Sequence, residues 1–590
     1  MLKRFFISML GSLTAIWISI MLLMVLIMTF AIGSVVSTLS SGSTPVKISD
    51  NSILTIELNG NIEERVVTPD IYDMINERPQ PTALENILNA IKAAEDDESI
   101  IGIYLQCKGA AAGLATREAI RDALAAFKER GKWIVAYGDS YTQGDYYVAS
   151  VADEIYLNPV GAVELKGLAS GIPFFKGFLD KAGIEMQVIK VGTFKSAVEP
   201  YIMTGMSEAN RLQTSVFLDN MWKRMADEIA SSRGIKVDSL NILADSMLVM
   251  TPAENLVDLK VVDGLKYTNE MSDYLKKQSL TNAKKSIPLV SVGDYLGSGA
   301  KVPHEKSEKK KIAVYYAAGD ITESEKGGIA SDRVVPDIIK LAEDDDIDGL
   351  VLRVNSGGGS AFASEQIWHA LEVLKSKDKP FYVSMGDYAA SGGYYISCGA
   401  DKIYAQPLTL TGSIGIFGMI PCVKELLNNK LGINFDFVST NANSSGPNIM
   451  EPMTPFQRQR LQQEVDRGYE LFTSRCAEGR GISQDSIKAI AEGRVWDGMT
   501  AKKIGLVDEL GSLEDAIADL ADENGFTKYQ VISYPDAKAS FWDVILEFNT
   551  QMRVNSLKKE LGIWYPAYEE MKRLDRLSPV QARMETVLFE

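Results

Sequence analysis

Histidine is almost missing from this chain: its 590 residues include only two, His304 and His369. A histidine-rich zinc centre is thereby excluded, and a Ser-His-Asp triad has hardly any base to draw on. Cysteine is nearly as scarce. Cys107, Cys398, Cys422 and Cys476 are scattered without a CxxC pair or a metal-ligand spacing, and they read as small buried thiols rather than a disulfide framework. Positive charge is in deficit, with 61 Lys and Arg against 78 Asp and Glu for a formal net charge of -17. Phosphate backbones are held by clustered Lys and Arg, so nucleic acid is not an expected partner, and the acidity reads as solubility. With 46% hydrophobic and 24% charged residues the composition is globular, and the length implies two or more domains.

Charge of either sign is absent from residues 5–46, and 5–36 is almost continuously apolar. A membrane-spanning helix needs about 20 apolar residues, and the apolar core of a cleaved signal peptide is only about 7–15 long. The stretch therefore reads as an uncleaved signal anchor. Lys3 and Arg4 precede it, which keeps the N-terminus cytoplasmic and places the remainder across the membrane.

Beyond that stretch the chain reads as one unit written twice. Gly138, Asp139, Tyr146 and Tyr147 align with Gly386, Asp387, Tyr394 and Tyr395. Each copy opens with a β-rich run (53–58; 312–317), continues through a helix ending in acidic residues, and reaches a buried-looking strand (100–105; 349–354). An amphipathic helix (116–130; 363–377), another strand (133–137; 381–384) and later a long helix (208–233; 455–480) follow in both. Such alternation predicts βαβ units with parallel pairing. The polar run 301–311 reads as a solvated linker.

The copies differ where chemistry would sit. Ser391 corresponds to Gln143, and Ser356-Gly357-Gly358-Gly359-Ser360 corresponds to Lys108-Gly109-Ala110-Ala111-Ala112. Ser391 lies in Ala389-Ala390-Ser391-Gly392-Gly393-Tyr394, small residues that open a helical stretch through Cys398. Free N–H groups at such a start can stabilise an oxyanion beside an attacking serine, and a glycine turn after a strand can supply a second donor. Each signal also has an ordinary structural explanation in packing. A nucleophilic serine needs a base. His304 falls in the linker, and His369 on the 363–377 helix reads as an ordinary helix residue, so the remaining option is a lysine kept neutral by burial. Spacing does not say which lysine.

Four segments together resemble the signal peptide peptidase A (protease IV) family in its long, duplicated form: 356–360, 389–395, Leu410-Thr411-Gly412-Ser413-Ile414-Gly415 and Phe194-Lys195-Ser196-Ala197-Val198-Glu199-Pro200. The resemblance covers nearly the whole chain. It implies a tandem α/β fold of Clp-protease/crotonase-like ββα repeats after one N-terminal transmembrane helix. It places the nucleophile on Ser391 and the general base on Lys195, with Gly359 and Gly392 as oxyanion donors and Gly358 beside them. Ser413 matches a serine that orients the lysine, although a turn residue reads equally well. The second copy has no lysine at the matching place near Ala442, so one site is expected from both halves. Gly357 departs from the family, which commonly has proline there and hence a stiffer turn.

The implied organisation is an anchor over 1–46, a base-bearing repeat over 47–300, a linker over 301–311, a serine-bearing repeat over 312–535 and an extension over 536–590. The resemblance further implies a serine endopeptidase for short apolar peptides such as signal-peptide remnants, without metal or cofactor. It implies a homotetramer held in the bacterial cytoplasmic membrane with its catalytic domains outside. Two rivals are a crotonase-like acyl-CoA enzyme and a non-catalytic membrane-tethered scaffold. A third assigns the base to His369.

Overall fold

The computed structural model describes residues 48–66, 81–279, 287–300, 310–324, 328–535 and 580–584, with parts of 9–26 and 553–572. Two parallel sheets of matching order form the body. The first runs Gly264–Leu265, Glu154–Leu157, Trp133–Gly138, Ile100–Cys107, Ser52–Leu58, Leu289–Ser291. The second runs Glu509–Leu510, Lys402–Ala405, Phe381–Ala390, Gly349–Ser356, Lys310–Ala318, Tyr529–Tyr534. The central strands are buried nearly throughout, as parallel strands covered on both faces must be, which is why they read as continuous apolar runs. The chain is thus a duplicated α/β fold.

Equivalent residues do equivalent work. The Tyr146 hydroxyl donates to the Val261 carbonyl at 2.8 Å, and the Tyr394 hydroxyl to the Leu506 carbonyl at 2.9 Å. The long helices keep their expected limits, Glu208–Arg233 and Pro455–Arg480, because both ends are chemically marked. Ser207 and Thr454 cap the starts, and Gly234 (φ 62°) and Gly481 (φ 64°) turn the chain out in the left-handed region.

Three expectations shift. The strand expected over 381–384 runs on to Ala390 by pairing with Leu410–Gly412. The linker is shorter than expected, since Lys310 already begins the strand Lys310–Ala318; residues 301–309, with His304, lie outside the described residues. Among the described residues no helix is long and apolar enough to cross a membrane, so the expected spanning helix is not supported; residues 1–8 and 27–47 lie outside the described ones. Cys107, Cys398, Cys422 and Cys476 are all buried and form no disulfide.

The two lobes are joined by buried polar contacts. Arg353 in the second lobe donates to both carboxylate oxygens of Glu64 from the first, at 2.9 and 3.1 Å. Asp387 accepts from the Thr116 amide at 2.9 Å and hydroxyl at 2.7 Å, and burial raises its carboxyl above the usual range. Glu118, also from the first lobe, accepts from the Leu408 amide at 2.9 Å. Unpaired, such groups would each cost several kcal/mol of order, so the lobes are held in one mutual register.

Candidate active site

Ser391 stands where the strand Phe381–Ala390 gives way to the helical turn Gly392–Tyr395. Its backbone is strained, with φ 55° and ψ -112°, a conformation rare for any residue with a Cβ. The strain is held from both sides. The Ser391 amide donates to the Gly412 carbonyl at 2.8 Å, and the Tyr395 amide donates to the Ser391 carbonyl at 2.8 Å.

Lys195 reaches this serine from the other lobe. The strand Glu185–Lys190 pairs antiparallel with Phe417–Cys422 over six residue pairs, so a first-lobe strand becomes the edge of a second-lobe sheet. The chain then turns at Gly192 (φ 103°), where a Cβ would come within 2.4 Å of the Glu492 carbonyl oxygen. The Phe194 amide donates to that same carbonyl at 3.0 Å. Lys195 follows with only 1% of its surface exposed, and its Nζ lies 2.8 Å from Ser391 Oγ, 3.0 Å from the Ser413 carbonyl oxygen and 3.1 Å from Ser413 Oγ. Ser391 and Ser413 are buried too.

The glycine segment behaves less uniformly. The Gly358 amide donates to Ser356 Oγ at 3.1 Å, so it is turned into the loop. Gly359 lies in the short strand Gly358–Ser360, and Gly392 heads the turn after Ser391, where backbone N–H groups have no intrahelical acceptor. Gly358 has φ 99°, and a Cβ on it would sit 2.6 Å from the Gly392 amide nitrogen, so the two glycine segments are in close approach. Gly357 faces open space, with nothing within 4 Å of a Cβ built there.

Ser391 and Lys195, from separate lobes, are thus in hydrogen-bond contact, with Ser413 bonded to the lysine and Gly392 next to the serine. The first-lobe counterpart of the serine, Gln143, accepts from the Lys166 and Gly167 amides at 2.8 and 2.9 Å and so fills its own site with local bonds. Ala442 sits exposed, remote in character from the buried Lys195 position. His369 is exposed on the helix Ala361–Lys375.

Sequence reasoning missed several supports. Gln213 Nε2 donates to Ser196 Oγ at 3.0 Å and the Phe194 carbonyl at 3.2 Å, while its Oε1 accepts from the Val495 amide at 3.1 Å. It ties the lysine loop to the second lobe. Gly493 (φ 78°) and Gly415 flank the lysine shaft, with built Cβ atoms 2.7 Å from Lys195 Cβ and 3.3 Å from Lys195 Cδ. The strand Val580–Arg583, in the C-terminal extension, enters the sheet beside Gly358–Ser360. Only its alternation Val580-Gln581-Ala582-Arg583-Met584 signalled a strand.

Comparison with known proteins accords with this geometry. The sequence model of Peptidase family S49 matches twice, at residues 126–282 and 373–527. The chain belongs to peptidase family S49. "Protease 4" of Salmonella typhi is 35% identical over 490 residues, covering 81% of this chain and 78% of that protein. "Protease 4" of Haemophilus influenzae is 33% identical over 594 residues, covering 95% and 93%. "Serine protease SPPA, chloroplastic" of Arabidopsis thaliana is 27% identical over 555 residues, covering 92% and 79%. This S49 chain is therefore a serine-type peptidase of the long, duplicated signal peptide peptidase A form. The acyl-CoA and scaffold alternatives fall away.

Proposed function

We propose that this peptidase cuts short apolar peptides, signal-peptide remnants among them, with Ser391 as nucleophile and Lys195 as general base. The observation that carries the reading is the 2.8 Å contact between Lys195 Nζ and Ser391 Oγ, two buried groups brought together from different lobes. A neutral amine has two N–H donors and one lone pair. The Ser413 carbonyl and Ser413 Oγ take the donors, which leaves the lone pair for the Ser391 hydroxyl proton. Lys195 acts in this reading as the neutral amine, the form with a lone pair to give. Ser413 is the orienting residue.

Ser391 Oγ attacks the peptide carbonyl as Lys195 takes its proton. The amides of Gly359 and Gly392 bind the oxyanion, Gly358 shaping the turn between them. Lys195 returns the proton to the leaving amine, and water activated by the same lysine releases the acyl group.

Membrane attachment and assembly belong to the same proposal. The uncharged run 5–46 supports a single-pass anchor with the N-terminus cytoplasmic, and its described side chains are exposed, Trp17 at 68% and Leu26 at 68%. Phe435, Phe437 and the fully exposed Val438 suit burial against another copy in a homotetramer.

The test is labelling with a fluorophosphonate followed by peptide mapping. The label is expected on Ser391 and absent from Ser391→Ala, together with all hydrolysis of an apolar peptide ester. Label on another residue, or hydrolysis surviving in Ser391→Ala, refutes the assignment.

A further inference from the structure

The segment that brings Lys195 to the serine carries a buried carboxylate for which the mechanism has no use. Glu199 closes the run Phe194–Glu199 and is 2% exposed. Only donors meet its oxygens. Ser207 Oγ lies 2.6 Å from Oε1, and the Ser207 amide and Asn210 Nδ2 lie 3.1 and 3.0 Å from Oε2. A carboxylate with this role only accepts, so it decides which end of the Asn210 amide faces it. Asn210 Oδ1 is thereby turned the other way, where it accepts from Gln213 Nε2 at 3.2 Å and Thr214 Oγ1 at 3.3 Å. Gln213 is oriented in its turn. Its Nε2 reaches the Phe194 carbonyl and Ser196 Oγ, and its Oε1 accepts from the Val495 amide of the second lobe.

The chain of bonds has one sense. Exchanging the ends of either amide would set oxygen against oxygen on one side and N–H against N–H on the other. Asn210 and Gln213 are both buried, where a mispaired polar group loses more than a paired one gains. The backbone around the base is held to match. The Phe194 carbonyl accepts from Gln213, the Lys195 carbonyl from Lys190 Nζ at 3.3 Å, and the Ser196 carbonyl from the Glu199 amide at 2.9 Å.

We propose that Glu199 is a positioning residue for Lys195: it sets the direction of the chain through Asn210 and Gln213, and that chain fixes where Nζ stands against Ser391. Glu199 acts through the loop and not on the reacting atoms. The proposal rests on the reading of Lys195 as the base. A misplacement of about 1 Å at a reacting pair costs about 100-fold in rate, and the contact at stake is the 2.8 Å between Nζ and Oγ.

The experiment measures kcat and KM for an apolar peptide ester on the full-length protein. Glu199→Gln keeps the size of the side chain and puts an N–H where an acceptor is needed. Its kcat should fall about 10- to 100-fold with KM unchanged. Made in Lys195→Met, the same substitution should cost less than about twofold further, because the group it positions is gone. Equal losses in the two backgrounds would mark a merely structural role and overturn the proposal. Adding Asn210→Asp to Glu199→Gln restores the sense of the chain: the new amide donates to the new carboxylate, which still accepts from Gln213 and Thr214. The pair should recover kcat to within about fivefold of the parent, and no recovery overturns the directional argument. Should Glu199→Gln not fold alone, Gln213→Met decides, with a loss of about tenfold or more expected beside Lys195 and none beside Met at that position. Undiminished kcat in Lys195→Met would sink the base reading and this proposal with it. A loss there, with the full rate in Glu199→Gln, would sink this proposal alone.

Discussion

Replacing Lys195 separates a base from a mere positive charge. The side chain runs in a slot between Gly415 and Gly493 and ends with Nζ 2.8 Å from Ser391 Oγ. Lys195→Met keeps the shaft and loses the nitrogen. A positioned general base is worth roughly 10²–10⁴ in rate, so kcat should fall by that factor, about 3–5 kcal/mol of barrier. Lys195→Arg keeps a cation at similar reach, but a guanidinium does not give up its proton in a protein, so it should fall as far. Were the lysine acting as a cation beside the oxyanion, arginine would preserve most of the rate. The assay is kcat for an apolar peptide ester at saturation, with thermal midpoints alongside. Burying a thioether costs less than burying an amine, so Lys195→Met should melt no lower than the parent, which excludes misfolding as the cause. Retention of more than about a tenth of kcat in Lys195→Arg would refute the proton-transfer argument.

Ser413→Ala removes an acceptor on Nζ and keeps the backbone carbonyl at 3.0 Å, so kcat should drop about tenfold, the worth of one such bond, with KM unchanged; no change in kcat would make Ser413 a turn residue only. Ser391 holds φ 55° and ψ -112°, a strain of about 1–3 kcal/mol, so inactive Ser391→Gly should melt above equally inactive Ser391→Ala; the opposite order would show that the backbone is relaxed. Burial pushes the Glu118 carboxyl up to about 8 and that of Asp122 up to about 6, from ordinary values of 4.5 and 3.8. The native state then holds protons that the unfolded chain releases, so stability should fall as pH rises from about 5 to about 8, and Glu118→Gln should flatten the loss by up to about 4 kcal/mol in denaturant titrations. Parallel pH curves for the two proteins would contradict it.

What the sequence made legible follows from where each interaction is encoded. The long helices carry their own stop signals, Ser207 and Gly234, Thr454 and Gly481, so their limits could be read locally. The central strands announce themselves through continuous burial. The strand Phe381–Ala390 was legible only to Ser384; its continuation depends on pairing with Leu410–Gly412 and on the Asp387 bonds to Thr116, and both are long-range facts. Ser391 was readable as one candidate among small residues, whereas Lys195 was not readable from spacing at all. Its place depends on a first-lobe strand completing a second-lobe sheet, on Gly192 turning against Glu492, and on Gln213 binding across the lobes. None leaves a periodic mark near residue 195, which is why family resemblance alone pointed there.

The same logic explains why the duplication persists as two unlike copies. A base held on the same element as its nucleophile would be free to move with it. On the proposed mechanism the base is carried in by one lobe, and the register between lobes is set by buried groups, Arg353 on Glu64 and Leu408 on Glu118, that lose much if the lobes slide. In the first lobe Gln143 satisfies the backbone where a nucleophile would stand, so that copy's remaining contribution is the strand Glu185–Lys190 and the lysine it delivers. A substitution that loosens the interlobe pairing, such as Glu64→Ala, strands a buried guanidinium and should therefore lower activity by displacing Lys195 Nζ from Ser391, with kcat affected before any change in the fold of either lobe.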